Sequence, residues 1–189
     1  MLSAAAPAQF PADLGVEVAF AGRSNAGKSS AINAIVAQRG LARSSKTPGR
    51  TRLINFFALS ERSRLVDLPG YGYASAPERE RRAWPALMEA LGQRASLRGV
   101  FLIVDARRGI GAGDEALIAW AEERQRVHVL LSKSDKLTRN EAKQALIGAA
   151  AALGEGVTVQ LFSAHSGAGL EQARQRLGEW LEHSARGES

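Results

Sequence analysis

The residues with the clearest capacity for chemistry lie in one glycine-rich segment near the start of the chain. The segment follows the pattern G-x-x-x-x-G-K-[ST], and its members are Gly22, Arg23, Ser24, Asn25, Ala26, Gly27, Lys28 and Ser29. An apolar run precedes it and a helical pattern follows, the context in which successive backbone N–H groups surround a polyphosphate. Lys28 would supply a cation to the β- and γ-phosphates, and the Ser29 hydroxyl would bind Mg²⁺. The pattern predicts a phosphate-binding loop; an incidental glycine-rich turn is the alternative.

A D-x-x-G segment follows the third apolar run. Its members are Asp67, Leu68, Pro69 and Gly70. An aspartate at this place can hold Mg²⁺ through water, and the Gly70 N–H can meet the γ-phosphate. D-x-x-G alone is common in turns. It supports a phosphate and Mg²⁺ site here only because it follows the glycine-rich segment along the chain.

A polar loop, Ser44–Arg52, precedes the second apolar run, and its Gly, Pro, Ser and Thr content predicts flexibility. We expect Thr51 to give Mg²⁺ a second hydroxyl, with Thr47 as the competitor. A loop that becomes ordered around Mg²⁺ and a γ-phosphate is a switch; an ordinary polar loop is the alternative. The expected nucleotide contacts in and beside this loop are Gly49, Arg50, Thr51, Arg52 and Leu53. The residues expected to act in catalysis are Lys28, Thr51, Gly70 and Asn25.

Two further segments are candidates for recognising a base. The first resembles the [NT]-K-x-D pattern, with Ser in place of Asn or Thr at its first position, and consists of Ser132, Lys133, Ser134 and Asp135. The second is Phe162, Ser163 and Ala164. Asp135 can accept from the N1–H and 2-amino group of guanine, whereas a buried carboxylate facing adenine would lack those donors. The Lys133 stem can lie along the base, and Ser163 with the Ala164 N–H could contact the guanine O6. If the first segment does not read the base, an ATPase is the alternative.

These segments need strands that end at one edge of a sheet. The predicted strands are Val16–Ala21, Leu53–Leu59, Arg64–Leu68, Gly99–Asp105, His128–Ser132 and Val157–Phe162. The predicted helices are Ser29–Ala37, Glu78–Leu97, Asp114–Arg124, Arg139–Leu153 and Leu170–Glu182. This alternation predicts an α/β fold, with a mostly parallel six-stranded sheet and helices on both faces. Ligands bind beyond the carboxyl ends of such strands, where each motif falls.

Length and composition predict one soluble domain. The chain has 189 residues, a net charge of +6 and no cysteine. The basic balance favours an anionic partner such as RNA or a membrane surface. Neither a signal peptide nor an apolar run of roughly 20 residues is evident, so we expect a cytoplasmic protein. We expect a disordered lead-in over residues 1–12, one domain over 13–184 and a tail over 185–189.

The motifs together resemble the EngB family of bacterial GTPases over nearly the whole chain. The resemblance is carried by GRSNAGKSS, KTPGRTRLINFF, VDLPGYGYA, SKSD and FSA. It implies a Ras-like P-loop GTPase domain that binds GTP, GDP and Mg²⁺. It also implies a role in large-ribosomal-subunit assembly and in normal cell division and septation. Ser132 departs from the usual Thr of the family, and Arg52 from a frequent Gln.

The predicted site lacks one side chain that Ras-type enzymes use in catalysis. Tyr71 stands where Ras-type enzymes carry the glutamine that orients the attacking water, so intrinsic hydrolysis should be slow. The ribosome could complete the site, or K⁺ could act through Asn25, for which a plain turn residue is the alternative. We expect the protein to be a monomer. The alternative function is a nucleotide-gated protein-interaction switch of the division machinery with little turnover.

Charged and aromatic residues outside the motifs have simpler expected roles. A basic face for RNA is predicted, with a solvated loop as the alternative, from Arg39, Arg43, Lys46, Arg50, Arg52, Arg79, Arg81 and Arg82. Packing roles are expected for Trp84, Trp120 and Trp180. No metal-ligand spacing relates His128, His165 and His183.

Overall fold

The computed structural model describes residues 1–42, 53–72 and 78–182, apart from the side chains of residues 78–83 and 122. Its strands are β1 (Leu2–Ala4), β2 (Val16–Gly22), β3 (Ile54–Ala58), β4 (Ser63–Asp67), β5 (Leu97–Asp105), β6 (Arg126–Ser132) and β7 (Val157–Leu161). Its helices are α1 (Lys28–Ile35), α2 (Glu78–Gly92), α3 (Ala112–Glu122), α4 (Arg139–Ala152) and α5 (Leu170–Glu182). Short 3-10 turns lie at Pro7–Gln9 and Ser134–Lys136. None of the helices in these ranges combines the length and apolar character needed to cross a bilayer.

The strands form one sheet in the order β1-β3-β4-β2-β5-β6-β7. The pairs from β4 through β7 are parallel, whereas β3 pairs antiparallel with both β1 and β4. The registers that pair Phe20 with Asp67 and Asp105 with Ser132 bring strand ends to one edge. We call this the carboxyl edge. The predicted α/β fold with a mostly parallel sheet is confirmed.

Apolar side chains alternate between the two faces of the central strands and so create a core on each face. On one face Phe20, Phe101 and Ile103 pack with residues of α1 and α5. On the other face, Ala19 and Leu102 belong to a cluster with α2, α3 and α4. Strands buried on both faces are near-continuous apolar runs, which is why β2, β5 and β6 were evident in the sequence.

The sheet has seven strands rather than the predicted six because the first residues of the chain add an edge strand. Leu2 pairs with Phe56, and Ala4, which is fully buried, pairs with Ile54. Residues 1–12 were expected to be a disordered lead-in, yet they contain this strand and a 3-10 turn. A strand of three residues is too short to produce a recognisable alternation. The domain limits at residues 13 and 184 stay a prediction, and the tail lies outside the described residues.

Helix α2 ends at Gly92, before the predicted end at Leu97. The helix ends early because of a contact with a residue distant in sequence. The Asp13 carboxylate accepts hydrogen bonds from the Ala95 and Ser96 N–H groups, at 2.9 and 3.0 Å. Those N–H groups are therefore not available to continue the helix, and β5 begins at Leu97.

Candidate functional site

The glycine-rich segment forms the turn between β2 and α1 at the carboxyl edge. Gly27 caps α1 with a φ of 96°, a left-handed conformation that glycine adopts without strain. Inside the turn, the Ala26 N–H donates to the Arg23 carbonyl at 3.0 Å. The N-terminus of α1 therefore follows the turn directly, which favours binding of negative charge there.

Other parts of the chain hold this turn from outside. The Ser24 N–H donates to the Tyr71 carbonyl at 3.0 Å, and the Ser132 hydroxyl donates to the Ala26 carbonyl at 2.5 Å. Lys133 donates through its ammonium to the Asn25 carbonyl at 2.6 Å. The conformation of the turn thus depends on Tyr71, which follows the D-x-x-G segment, and on the segment that begins at Ser132, as well as on its own sequence.

The Lys28 ammonium forms an ion pair with the Asp67 carboxylate. Both side chains are largely buried, with 11% and 10% of their surfaces exposed. The cation predicted to meet phosphates and the carboxylate predicted to hold Mg²⁺ therefore lie together, next to Ser29 in the first turn of α1.

The oxygen donors at this place suit Mg²⁺. Magnesium prefers oxygen ligands and commonly uses one or two protein ligands together with substrate phosphates and water. Asp67 and Ser29 supply that kind of donor set. Across the described ranges, no cluster of three or more His, Cys, Asp or Glu side chains could hold a metal ion by itself. The residues thus fit a metal that binds together with a polyphosphate.

The D-x-x-G segment packs directly on the turn. A Cβ atom on Gly70 would lie 2.8 Å from Ser24 Oγ and 3.1 Å from Ser24 N, so the close approach favours glycine. Leu68 is buried, and its N–H donates to the Phe20 carbonyl at 2.9 Å, which continues the parallel pairing of β4 with β2. Asp67, Leu68, Pro69 and Gly70 therefore begin at the carboxyl edge and end against the turn.

The two segments predicted to read a base meet each other. Ser163 donates through its hydroxyl to an Asp135 carboxylate oxygen at 2.6 Å, and Ser134 Oγ donates to the Phe162 carbonyl at 3.1 Å. The hydrogen bond from Ser163 lowers the pKa of Asp135, and the Lys136 ammonium at 3.4 Å acts in the same direction. The Ser163 hydroxyl was expected to contact a guanine O6, but its proton is directed at Asp135. It thereby keeps that carboxylate ionised and fixed.

Asp105, at the end of β5, is a site residue that the sequence analysis missed. Its carboxylate accepts from the Lys133 ammonium at 2.9 Å and from Arg107 Nη2 at 2.7 Å. The hydrogen bond from Arg107 holds the pKa of Asp105 well below its usual range, and Lys133 adds to this effect. Asp105 therefore positions the Lys133 ammonium against the turn, where it also donates to the Asn25 carbonyl. An aspartate that ends the apolar run GVFLIVD was a visible signal of it.

Tyr71 lies beside the turn, and its side chain points to α3. Its phenol donates to the Asp114 carboxylate, and a second Asp114 oxygen accepts from the Gly111 N–H at 2.9 Å. Burial and the hydrogen bond to Asp114 raise the pKa of Tyr71 well above its usual value. The residue that replaces the Ras-type glutamine is therefore a protonated donor engaged with α3.

Several predicted residues lie outside the described part of the chain. These are Arg43, Lys46, Thr47, Gly49, Arg50, Thr51 and Arg52, together with the side chains of Arg79, Arg81 and Arg82. Leu53 is described and immediately precedes β3, and Arg39 is exposed. Their roles stay predictions.

The tryptophans have the expected packing roles, and His128 is held by hydrogen bonds inside the fold. Trp180 is buried in the core beneath α5, and Trp84 and Trp120 pack against the other core cluster. His128 is buried between Thr158 Oγ1 and Gln160 Oε1, at 2.7 and 2.9 Å. Its ring nitrogens are thus occupied by neighbouring strand β7.

Comparisons with known proteins agree with this geometry. A family model described as a 50S ribosome-binding GTPase matches residues 17–133. The probable GTP-binding protein EngB of Coxiella burnetii is 49% identical over 186 residues, which cover 96% of this chain and 91% of that protein. Its counterpart from Methylococcus capsulatus is 53% identical over 178 residues, covering 91% of this chain and 85% of that protein.

A solved structure of a probable GTP-binding protein EngB has the same fold. It superposes with a TM-score of 0.70 at 23% identity, covering 89% of this chain and 100% of that one. Fold, motif order and sequence identity lead to one conclusion: the chain belongs to the EngB family of GTP-binding proteins and is a P-loop GTPase.

Proposed function

We propose that this GTPase is a Mg²⁺-dependent switch that acts in assembly of the large ribosomal subunit. The main support for nucleotide binding is that Lys28, Asp67 and Gly70 come together at the turn before α1. The proposed nucleotide contacts are the predicted ones, from Gly22 to Ser29, Gly49 to Leu53, Asp67 to Gly70, Ser132 to Asp135 and Phe162 to Ala164.

In this proposal, triphosphate binding separates the ion pair between Lys28 and Asp67. Lys28 would move its ammonium to the phosphates, and Asp67 with Ser29 and Thr51 would then be available as oxygen donors to Mg²⁺. Bound Mg²⁺ would neutralise charge on the β- and γ-phosphates. Gly70 packs on the turn beside Ser24, and we propose that its N–H senses the γ-phosphate.

We propose that intrinsic hydrolysis is slow. Tyr71 is engaged with Asp114, and a phenol with a raised pKa is a poor base for activating water. Completion of the site by the ribosome, or by K⁺ held through Asn25, would then set the rate. Asn25 lies in the turn with a φ of 64°, a conformation that asparagine adopts more readily than most residues.

The ribosomal part of the proposal rests on family and charge. The matching family model is described as a 50S ribosome-binding GTPase, and the chain carries a net charge of +6. A basic protein gains affinity for RNA by releasing counterions from phosphates. The proposal places the protein in the cytoplasm as a monomer, with a consequent role in normal cell division and septation.

Two experiments test this function. Purified protein should bind GTP and GDP but not ATP, and removal of Mg²⁺ should weaken GTP binding more than GDP binding. Co-sedimentation with purified large subunits should be stronger with a non-hydrolysable GTP analogue than with GDP. Equal co-sedimentation in both nucleotide states would contradict the switch. Absence of co-sedimentation would favour the alternative, an interaction switch of the division machinery with little turnover.

A further inference from the structure

A cavity of about 420 Å³ opens at the end of the sheet opposite the carboxyl edge. It lies where β5 and β6 begin, whereas Asp105 and Ser132 end the same strands next to the nucleotide turn. With nine residues in β5, the two ends are separated by roughly 25 Å. The side chains that matter for its chemistry are Arg98, Glu123, Arg124, Gln125, Arg126 and Trp180.

The cavity is electropositive. Arg98, Arg124 and Arg126 are exposed, and Glu123 is the one acidic residue in the cavity lining. Within the part of the chain that the structure describes, no ion pair engages any of these three arginines. Their guanidinium groups present planar sets of N–H donors, a geometry suited to bidentate contact with phosphate oxygens.

Gln125 gives the cavity a second, independent feature. Its Nε2 donates to the Gly92 carbonyl at 2.9 Å, which fixes the orientation of the side-chain amide. Its Oε1 is buried and, among the described residues, is the single buried side-chain nitrogen or oxygen without a hydrogen-bond partner. An unpaired buried acceptor costs free energy, so a bound donor would be favoured at this point.

From these two features we propose that the cavity is an RNA-docking site. The arginines would contact backbone phosphates. A shift of the exposed side chains around the buried Gln125 Oε1 would let this oxygen accept from a ribose 2′-hydroxyl or a base amine, the donors that RNA carries beside its phosphates. Trp180 is only 2% exposed, which leaves its ring unavailable for stacking. The expected contact is therefore to the RNA backbone and edges rather than to base faces.

This inference rests on the proposed ribosomal function and adds a second contact to it. Because the cavity lies at the far end of the sheet from the nucleotide turn, its contact with RNA does not require a particular nucleotide state. The protein would then combine a constant anchor at the cavity with a nucleotide-dependent contact at the carboxyl edge.

The test compares Arg124→Ala/Arg126→Ala with a charge-matched control, Arg139→Ala/Lys143→Ala, whose residues are exposed on α4. The probes are purified large subunits and protein-free large-subunit rRNA, measured with GTP analogue and with GDP over a salt series. We expect the cavity variant to bind both probes about tenfold more weakly in each nucleotide state. Its slope of log K against log salt should fall by about two, one unit for each lost phosphate contact. GTP binding and the thermal midpoint should match the control.

Three other outcomes would contradict either the proposed RNA-docking site or the ribosomal function on which it rests. If wild type binds both probes and the cavity variant equals the control, the inference is wrong while the ribosomal function stands. If the variant loses affinity for subunits but not for protein-free rRNA, the cavity binds a protein and the inference is again wrong. If wild type binds neither probe, the ribosomal function itself fails. Arg126→Glu, a charge reversal at the exposed first residue of β6, should weaken rRNA binding further than removal of that arginine.

Discussion

The phenol of Tyr71 donates a hydrogen bond to the Asp114 carboxylate, while the Tyr71 carbonyl accepts from the Ser24 N–H at 3.0 Å. One residue thus joins the phosphate-binding turn to the first turn of α3. The ring also packs against Gly113, where an added Cβ would lie 3.2 Å from two ring carbons. This position, which follows the D-x-x-G segment, is therefore used for structural coupling between the nucleotide turn and α3.

Replacement of Tyr71 by Phe should destabilise the fold without changing the chemistry. The substitution removes a hydrogen bond to a largely buried carboxylate, so the free energy of unfolding should fall by about 1–2 kcal/mol. Urea denaturation of Tyr71→Phe, Asp114→Asn and the double variant should give a coupling energy of about 1 kcal/mol between the two side chains. Additive effects would contradict the hydrogen bond, and a large loss of GTP turnover in Tyr71→Phe would show that the phenol acts in hydrolysis.

Replacement of Asp135 by Asn should change the base preference. The carboxylate is replaced by an amide whose NH2 group faces the guanine 2-amino group, donor against donor, whereas the 2-oxo group of xanthine can accept from it. GTP affinity should therefore fall by more than about tenfold, and xanthosine triphosphate should become the preferred ligand. Ser163→Ala should keep the guanine preference but weaken GTP binding, because Asp135 loses the hydrogen bond that fixes it. Competition binding with labelled nucleotides measures both effects. Glu155→Gln, at an exposed position on the chain, is the control; an unchanged base preference in Asp135→Asn would refute the assignment.

Turnover should be faster in KCl than in NaCl if Asn25 holds a monovalent cation. The informative variant is Asn25→Gly, since the φ of 64° at this position would strain most other residues and glycine removes only the side chain. We expect the variant to lose the difference between the two salts while retaining GTP binding. Steady-state phosphate release at equal ionic strength measures this, and equal rates for wild type in both salts would remove K⁺ from the proposal.

Replacement of Asp67 by Asn should raise the Mg²⁺ requirement. If Asp67 holds Mg²⁺ through a water molecule, loss of its charge should increase the Mg²⁺ concentration for half-maximal turnover by about 10- to 100-fold. The variant also removes the ion pair with Lys28, so affinity for nucleotide in the absence of Mg²⁺ should not decrease. Glu115→Gln, an exposed position on α3, is the matched control. An unchanged Mg²⁺ titration would exclude Asp67 from the metal site.

Acid should weaken the fold partly through Asp105. Its hydrogen bond from Arg107 lowers its pKa in the folded protein below the value of about 4 that an unfolded chain gives an aspartate. The resulting stabilisation is complete above about pH 4 and is lost as the pH falls through the folded-state pKa. Urea midpoints of wild type and Asp105→Asn should therefore differ most at neutral pH and converge in acid. A constant difference from pH 7 to pH 3 would contradict this account.

The sequence was sufficient to predict those elements of the fold whose causes lie in neighbouring residues. The apolar run of β5, the glycines of the turn and the helical pattern of α5 each have a cause within a few residues of sequence. The structure is helical over the range predicted for α5, Leu170–Glu182, which extends to the last described residue. The pattern was recognisable because the apolar residues Ala173, Leu177 and Trp180 recur at helical spacing on one buried face.

Boundaries and partners set by distant residues were not predictable in this way. Helix α2 ends early because Asp13 binds the N–H groups of Ala95 and Ser96, and strand β1 forms because β3 offers an edge. Neither cause is near the affected residues in sequence. Three consecutive residues also carry too little periodicity to indicate a strand.

The sequence by itself determined the family, the order of the nucleotide motifs and the strand–helix alternation, because each is encoded by residue types at short spacing. Only the tertiary structure decided that Lys28 pairs with Asp67, that Asp105 directs Lys133, and that Gln125 leaves an acceptor unpaired beside a basic cavity. These facts depend on side-chain directions across strands and loops. A sheet brings residues from separate strands to one edge, and the spacing of these residues along the chain does not indicate which side chains will be in contact.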